Sequence, residues 1–272
     1  MTQIEQFSQE YIDKNTPEKD MLFKSFLDSQ EPYTSIFKNN PWLAPPNFKR
    51  PLSRKKVHYW NTTVGRKHPY WKTKKLPAPT KEIKQIRKDF KRWGYALIED
   101  GMSKDQCELF IKRLLEQAEG EKLAGVNSIT PSGQYVHTLI NKGEMFRGCI
   151  EQDPSHVQAG VLIENFLNET LGKGWICHSF LANGSEKGYY PQVLHLDQSP
   201  LSPWVTEEAP ALVNTLYIPQ DVNEVNGGTL IIPGSHKNII KAGSNGQVGK
   251  LPPAINLEAK AGTIMLFDGR LL

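Results

Sequence analysis

Cysteine is scarce in this sequence, and its spacing argues against two kinds of covalent or metal stabilisation. The 272 residues contain three cysteines, Cys107, Cys149 and Cys177. An odd number without a Cys-x-x-Cys pair indicates neither a disulfide framework nor a zinc knuckle. We therefore expect three buried thiols in a chain that folds around an ordinary hydrophobic core.

Long apolar runs are lacking as well. No stretch approaches the ~20 apolar residues that a membrane-spanning helix needs, and residues 1–6 lack the basic and apolar regions of a signal peptide. These absences predict a cytoplasmic protein without a membrane partner. The composition, 38% hydrophobic and 23% charged, is typical of one globular catalytic domain with an extension.

Acidic residues are nearly absent from one basic segment. The net charge is only +4, yet sixteen lysines and arginines lie between residues 49 and 92, opposed by Glu82 and Asp89 alone. Residues 48–92 could therefore bind an acidic small molecule, a polyanion or nucleic acid. The lack of a recognisable nucleic-acid-binding module disfavours nucleic acid, and a solvated lysine-rich surface is the simplest interpretation.

Residues 1–79 are predicted to be an N-terminal extension, and residues 80–272 the domain. Seven prolines between residues 41 and 79 interrupt any regular element. Aromatic side chains at high density in the same segment would be costly to expose, which predicts an ordered strap packed on the domain. They are Trp42, Phe48, Tyr59, Trp60, Tyr70 and Trp71.

Three amphipathic helices are predicted from start and stop residues. They run from a capping Thr80 to Gly94, from a Ser103/Gln106 capping box to Gly120, and from Pro154 to Gly172. Leu115 and Val161 are among the side chains expected to face the core. A strand at Tyr95–Glu99 separates the first two helices, and another is possible at Tyr135–Leu139.

Short strands separated by turn-rich loops follow the helices. This order predicts an α+β, mainly β fold, a double-stranded β-helix (jelly roll, cupin-like) with flanking helices. The strands are Trp175–Phe180, Gln192–Leu196, Leu212–Ile218, Thr229–Ile232 and Thr263–Phe267.

The chemistry of the sequence concentrates at residues 193–198, Val-Leu-His-Leu-Asp-Gln. Residues two apart on a strand project from the same face, so His195 and Asp197 would direct an imidazole and a carboxylate at one point. Such a pair supplies two ligands of the two-histidine, one-carboxylate sites that hold non-haem Fe(II). Taken alone, His-x-Asp is a weak signal, and a hydrogen-bonded surface pair is the alternative.

Three downstream blocks make the pattern more specific, namely residues 212–218, 226–236 and 261–268. With His195 and Asp197, their order and spacing resemble the phytanoyl-CoA dioxygenase family of Fe(II)/2-oxoglutarate-dependent oxygenases, from about Asp89 onward. The resemblance implies hydroxylation of a small-molecule substrate with release of succinate and CO₂. It implies Fe(II), 2-oxoglutarate and O₂ as cofactor and co-substrates, with ascorbate as a further candidate.

The family pattern places a third iron ligand, a histidine, just after the block at 261–268, and a 2-oxoglutarate-binding arginine about a dozen residues later. The sequence reaches Arg270, Leu271 and Leu272 first. We therefore expect a chain truncated before the distal histidine. A catalytically inactive binding protein on the same fold is the alternative from another functional class.

Other candidate site residues carry weaker signals. By resemblance, Gln192, Asn214 and Thr215 would lie beside 2-oxoglutarate, although each could be ordinary packing. His236 follows a Pro-Gly-Ser turn, and the family's equivalent histidine is not a ligand. The family uses the region of His137 and Lys142 to shape its pocket, and the sequence does not rank these two.

Overall fold

The computed structural model describes residues 69–130, 132–184, 192, 195–198, 210–223, 226, 228–239, 252 and 254–272. Trp42, Phe48, Tyr59 and Trp60 of the predicted strap lie outside these residues, as do Pro131 and two residues of the predicted strand at 192–196, Val193 and Leu194.

Helices and short strands alternate along the described residues. In chain order they are α1 (Pro69–Lys72), α2 (Ile83–Trp93), β1 (Tyr95–Ile98), α3 (Lys104–Leu123), β2 (Ser128–Thr130), β3 (Gly133–Val136), a 3₁₀ turn (Leu139–Asn141), α4 (Glu144–Ile150), α5 (Gly160–Leu171), β4 (Ala182–Gly184), β5 (Val213–Tyr217), β6 (Leu230–Ile231), α6 (His236–Ile239), β7 (Ile255–Asn256) and β8 (Ile264–Asp268).

Helix α2 ends where the sequence predicts and begins two residues later, with Glu82 and not Thr80 at the capping position. Gly94 adopts a left-handed conformation with φ 79°, and its N–H donates to the carbonyl of Phe90, as expected of a glycine at a helix end. Thr80 was predicted to cap the helix, which is wrong. Its carbonyl, which in a capping residue would accept the first helical hydrogen bond, instead accepts the N–H of Glu99 at 3.2 Å, and its N–H donates to the carbonyl of Leu97 at 3.1 Å.

Helix α3 confirms one end of its prediction and corrects the other. The Ser103 hydroxyl accepts from the Gln106 N–H, and the Gln106 side chain accepts from the Ser103 N–H, which is the predicted capping box. The helix then passes through Gly120 to Leu123, because nothing packs on Gly120 and no contact forces a break there. Leu115, predicted to be inside, is 64% exposed.

The third predicted helix starts at Gly160, not at Pro154. The Asp153 carboxylate accepts the Ser155 N–H at 2.9 Å, so residues 153–159 form turns before the helix. Val161, predicted to face the core, is 59% exposed. Helix α4, just before these turns, was not predicted.

An antiparallel sheet in the order β1-β8-β5 forms the centre of the described fold. Tyr95 pairs with Phe267 on one side, and Val213 pairs with Asp268 on the other. Two smaller antiparallel sheets, β2-β3-β4 and β6-β7, lie outside it. The mixed helix and strand composition with antiparallel pairing confirms that part of the predicted fold class.

Both faces of the central sheet are covered. Ala96, Ile98 and Leu266 point into a core shared with the helices, while Tyr95, Leu97 and Met265 point into a second core that includes β6 and β7. This alternation is expected of a strand buried on both sides. Trp71 is 4% exposed and packs on Trp93 with ring centroids 5.9 Å apart, so residues near the end of the predicted strap contact the second core.

The strands predicted in the second half match the sheet unevenly. Those at 212–218, 229–232 and 263–267 correspond to β5, β6 and β8. Residues 175–180 form no strand, which corrects that prediction. Among the described residues, their one backbone hydrogen bond to another segment is from the N–H of Leu139 to the Phe180 carbonyl. The possible strand at 135–139 stops at Val136 and gives way to the 3₁₀ turn.

The predictions about the cysteines and about membrane-spanning helices can be compared with the described residues. Cys107 and Cys149 are buried thiols and Cys177 is half-buried. Burial raises the pKa of the Cys149 thiol to about 12. In the part of the chain that the structure describes, no helix is both long and apolar enough to cross a bilayer.

Candidate metal centre

His195 and Asp197 lie together, although not on the predicted strand. Residues 195 and 196 have no regular structure, and residues 197 and 198 form a turn. The strand prediction is therefore wrong for the described part of this stretch. No strand pairing holds these residues, and their position depends on hydrogen bonds to the ends of β5 and β8.

The two side chains have the spacing of neighbouring ligands on one metal ion. His195 Nε2 is 3.2 Å from Asp197 Oδ1, and the two side chains are 37% and 36% exposed. With metal–ligand bonds of about 2.1 Å, two ligands at right angles lie about 3.0 Å apart. The donor set and the spacing therefore fit two positions of a non-haem iron site. Among the described residues, no group of three His, Cys, Asp or Glu side chains could hold a metal ion.

Asn214 on β5 fixes the orientation of the carboxylate. Its side-chain amide donates to Asp197 Oδ2 at 2.9 Å, which leaves Oδ1 turned toward His195. Thr215 follows on the same strand and therefore points to the opposite face, the face of Val213 and Tyr217, which pack in the helical core. A role in 2-oxoglutarate binding stays a prediction for both Asn214 and Thr215.

Gln192 contacts a different sheet. Its side-chain amide donates to the Tyr135 hydroxyl at 3.1 Å, and Asn183 donates to the same oxygen at 3.3 Å. Tyr135 lies on β3 and stacks on His137 with ring centroids 5.5 Å apart. Sequence reasoning did not single out Tyr135, because a tyrosine in a short strand carries no site signal until the fold brings Gln192 to it.

A cavity of about 190 Å³ is lined in part by His137, the residue whose ring stacks on Tyr135. Its walls are the segment after β3 and the segment before β4, joined by the hydrogen bond from Leu139 N to the Phe180 carbonyl at 2.8 Å. The lining mixes imidazole, hydroxyl and apolar groups, from His137, Thr138, Ile140, Cys177, His178, Ser179, Phe180 and Leu181.

Lys142, a candidate pocket residue, is engaged in an ion pair. Its ammonium contacts Glu121 near the end of α3, and Gln117 donates to the same carboxylate oxygen at 2.9 Å. Burial acts to raise the pKa of Glu121, but the hydrogen bonds from Lys142 and Gln117 outweigh it and hold that pKa below its usual value. This pair joins α3 to the 3₁₀ turn that borders the cavity.

His236 lies in a separate, buried place. The side chain is 4% exposed, and Nε2 is 3.4 Å from the carbonyl of Lys91. Within the described residues, Nδ1 has no hydrogen-bond partner. Burial lowers the pKa of His236 to about 4, so the imidazole is neutral near pH 7 and fills the space beside Gly94.

The residues after β8 are also buried. Arg270 forms a two-pronged ion pair with Asp268, from Nε to Oδ1 at 2.8 Å and from a terminal nitrogen to Oδ2 at 2.6 Å. The Leu272 N–H donates to the Ser235 hydroxyl at 2.9 Å. Leu272 therefore joins the β8 end to the Pro-Gly-Ser turn, and Arg270 pairs with the buried Asp268 carboxylate, roles that sequence reasoning did not assign.

Comparison with known proteins bears on this site. A family model described as phytanoyl-CoA dioxygenase (PhyH) matches residues 90–272. Among curated proteins, no relative matches the chain. The fold is similar to a crystal structure described as the non-heme alpha ketoglutarate dependent carbocyclase SnoK from nogalamycin biosynthesis, with TM-score 0.55 and 18% identity over 71% of this chain and 78% of that chain.

Proposed function

Because the chain belongs to the phytanoyl-CoA dioxygenase family, whose members are 2-oxoglutarate-dependent oxidoreductases, we propose that it hydroxylates a small-molecule substrate with release of succinate and CO₂. His195 and Asp197 are the proposed iron ligands. The observation that carries this assignment is the hydrogen bond from Asn214 on β5 to Asp197 Oδ2 at 2.9 Å, which leaves Asp197 Oδ1 3.2 Å from His195 Nε2.

The chain's own residues prepare the two ligands. Asn214 holds Asp197 Oδ2, so the carboxylate offers one oxygen and occupies one position. The remaining positions stay open for co-substrates, which is the use of such sites. When bound, Fe(II) with 2-oxoglutarate and O₂ supplies the oxidising power for attack on a C–H bond.

His195 and Asp197 would supply two of the three iron ligands of the family pattern. Leu272 lies beside Ile232, whose N–H donates to the Leu272 carbonyl at 2.6 Å. Leu272 is therefore fixed next to the β6 end. Gln192, Asn214 and Thr215 remain proposed contacts of 2-oxoglutarate.

For the fold, we propose a jelly roll whose two sheets include β1-β8-β5 and β6-β7. The second core, which lies between these strands and buries Ile231, Ile255 and Met265, supports this arrangement. Residues 1–79 are proposed as an extension that packs on the domain, in keeping with the burial of Trp71 against Trp93.

For the substrate, we propose the cavity beside Tyr135 as the binding place. Tyr135 stacks on His137 of the lining and accepts a hydrogen bond from Gln192, three residues before His195. The mixed polar and apolar lining suits a small molecule better than a polymer. An acidic substrate remains a prediction from the basic segment, in which Lys81 pairs with Asp100 and Arg87 with Glu169.

The test is iron-dependent formation of succinate from 2-oxoglutarate by the protein expressed from its complete reading frame. We expect succinate only with Fe(II), and a loss of more than about 100-fold in His195→Ala, since a ligand matters more than the outer-shell partners that contribute 10–100-fold. His156→Ala is the matched control, because His156 also lies beside an aspartate, Asp153. A folded protein that neither forms succinate nor binds 2-oxoglutarate would support the inactive binding protein.

A further inference from the structure

We propose that Gln198 is a positioning residue that holds the turn carrying Asp197 against the central sheet, an inference that rests on the proposed iron site. The residue directly follows Asp197 and is completely buried. A glutamine with no exposure needs a structural reason, because an amide group is costly to remove from water without hydrogen bonds.

The side-chain oxygen and the backbone N–H of Gln198 make hydrogen bonds that supply that reason, while within the described residues the side-chain nitrogen has no partner. Its side-chain oxygen accepts the N–H groups of Ala211 at 3.1 Å and Leu212 at 3.3 Å. Its own N–H donates to the carbonyl of Gly269 at 2.8 Å. One residue thus joins the turn to the chain entering β5 and to the chain leaving β8.

These partners lie at the end of the β5–β8 ladder. Val213 pairs with Asp268 as the last pair of that ladder, and Gly269 N donates to the Leu212 carbonyl at 2.9 Å just beyond it. The Gln198 amide therefore takes the place that another strand's peptide group would occupy. Two backbone donors that the ladder leaves free are satisfied in this way.

The packing around Gly269 makes this fit tight. A β-carbon on Gly269 would lie 2.9 Å from the β-carbon of Leu212 and 3.1 Å from that of Gln198. Any larger residue at 269 would push the turn away from the sheet. Close approach, not a special backbone angle, accounts for glycine at this position.

Asp197 and Gln198 are thus fixed to the same strand by different contacts. Asp197 is held by the Asn214 side chain on β5, and Gln198 by the backbone just before β5. Gln198 positions the chain and Asn214 orients the carboxylate. Loss of Gln198 would let Asp197 and His195 move together, which weakens metal binding although both ligands remain.

The test compares two glutamines with the same bonding. Gln106 also accepts two backbone N–H groups with its side-chain oxygen, from Ser103 at 2.9 Å and Gln158 at 3.1 Å, and it lies at the start of α3. Gln198→Met and Gln106→Met each remove the acceptor and keep the side-chain length. Fe(II) affinity is measured anaerobically, by competition with a fluorescent chelator, on the protein from its complete reading frame.

We expect Gln198→Met to lower Fe(II) affinity by about 10–100-fold, the range seen when outer-shell partners of metal ligands are removed, and Gln106→Met to leave it unchanged. Gly269→Ala, which keeps every hydrogen-bonding group, should also lower it. Equal affinity in Gln198→Met and wild type would overturn the proposal. A wild type without Fe(II) affinity would overturn the iron site itself, and with it the positioning role.

Hydrogen exchange in the metal-free protein distinguishes a failure of the Gln198 proposal from a failure of the iron site. The amides of Ala211 and Leu212 should be protected in wild type and exchange at least about tenfold faster in Gln198→Met, since both lose their acceptor. Unchanged exchange would contradict the role of Gln198 whatever the metal affinity. Faster exchange together with unchanged Fe(II) affinity would show that Gln198 closes the turn without positioning the ligands.

Discussion

Two histidine–aspartate pairs in this fold have almost the same separation and different surroundings. His195 Nε2 lies 3.2 Å from Asp197 Oδ1, and His156 Nδ1 lies 3.3 Å from Asp153 Oδ2. In the second pair, Asp153 Oδ1 accepts the Ser155 N–H, and the same His156 nitrogen contacts the Ser155 hydroxyl at 2.9 Å. That pair is a local turn motif.

The backbone adds to this difference. A β-carbon on Gly148 would lie 2.4 Å from His156 Nδ1, so the chain already covers the nitrogen that faces Asp153. Asp197 is held instead by Asn214, seventeen residues away on β5. Distance between a histidine and an aspartate is therefore a poor guide to a metal site. The two pairs differ in the residue that donates to the other carboxylate oxygen, which is the neighbouring Ser155 for Asp153 and the distant Asn214 for Asp197.

The largest expected effect comes from removing each carboxylate. Asp197→Ala should lower Mn(II) affinity by more than about 100-fold, because a direct ligand is lost, and Asp153→Ala should leave it within about twofold of wild type. Mn(II) serves as an oxygen-insensitive substitute, and its electron paramagnetic resonance signal reports the free ion. Equal losses in both variants would remove the distinction between the pairs.

A third histidine extends the comparison to a fully buried position. His236 lies near Asp268, whose carboxylate is occupied by Arg270. Its folded pKa is about 4, below the 6.5 of an exposed histidine, so the unfolded chain binds the proton first as the pH falls. Stability is therefore complete above about pH 6.5 and decreases toward pH 4, by up to about 3 kcal/mol. Urea unfolding at pH 7 and pH 4.5 measures this change.

His236→Gln provides the control for that measurement. It removes the titrating group, so the difference in unfolding free energy between the two pH values should shrink by most of that amount. A variant with the same pH dependence as wild type would show that other groups, such as the carboxylates, account for the acid sensitivity.

A smaller effect is expected at Asn214. Asn214→Ala keeps both ligands but frees Asp197 Oδ2, and should lower Mn(II) affinity about tenfold, at the lower end for outer-shell partners. Asn183→Ala removes an amide that donates to Tyr135 and serves as the control. Unchanged affinity in Asn214→Ala would mean that the carboxylate orients itself without β5.

The smallest effect is expected in the local pair. Hydrogen bonds from the Ser155 backbone and side chain, and then from His156, lower the pKa of Asp153. Asp153 therefore stabilises the fold above the pKa of the unfolded chain, and the contribution is lost as the pH falls through the lower folded value. Asp153→Asn should lower the melting temperature slightly at pH 7 and by less at pH 3, while metal affinity stays unchanged. A shift of equal size at both pH values would contradict this account.

Local signals in the sequence predicted those parts of the fold that depend on local interactions. Ser103 and Gln106 cap α3 as expected, and Gly94 ends α2. The helix starts predicted at Thr80 and Pro154 were wrong because both segments make other contacts. Thr80 hydrogen-bonds to β1, and residues 153–155 form a turn. The helix end predicted at Gly120 was wrong because an exposed glycine inside a helix costs only about 1 kcal/mol. The stability of the rest of α3 outweighs that cost.

The candidate site shows the same limit. The prediction that His195 and Asp197 lie together assumed a strand, in which alternate residues share a face. The structure brings them together in a turn that Gln198 and Asn214 fix to β5. Those contacts join residues thirteen to seventeen positions apart, and no periodicity in the sequence reports them. The residue types were informative, and their support depends on tertiary structure.

The most direct test of an iron site at His195 and Asp197 is an anaerobic titration of Fe(II) with 2-oxoglutarate. The visible charge-transfer band would be recorded for wild type, His195→Ala and His156→Ala, each expressed from the complete reading frame. The account predicts the band in wild type and His156→Ala and its loss in His195→Ala. A band of equal strength in all three folded proteins, or in none of them, would contradict the assignment.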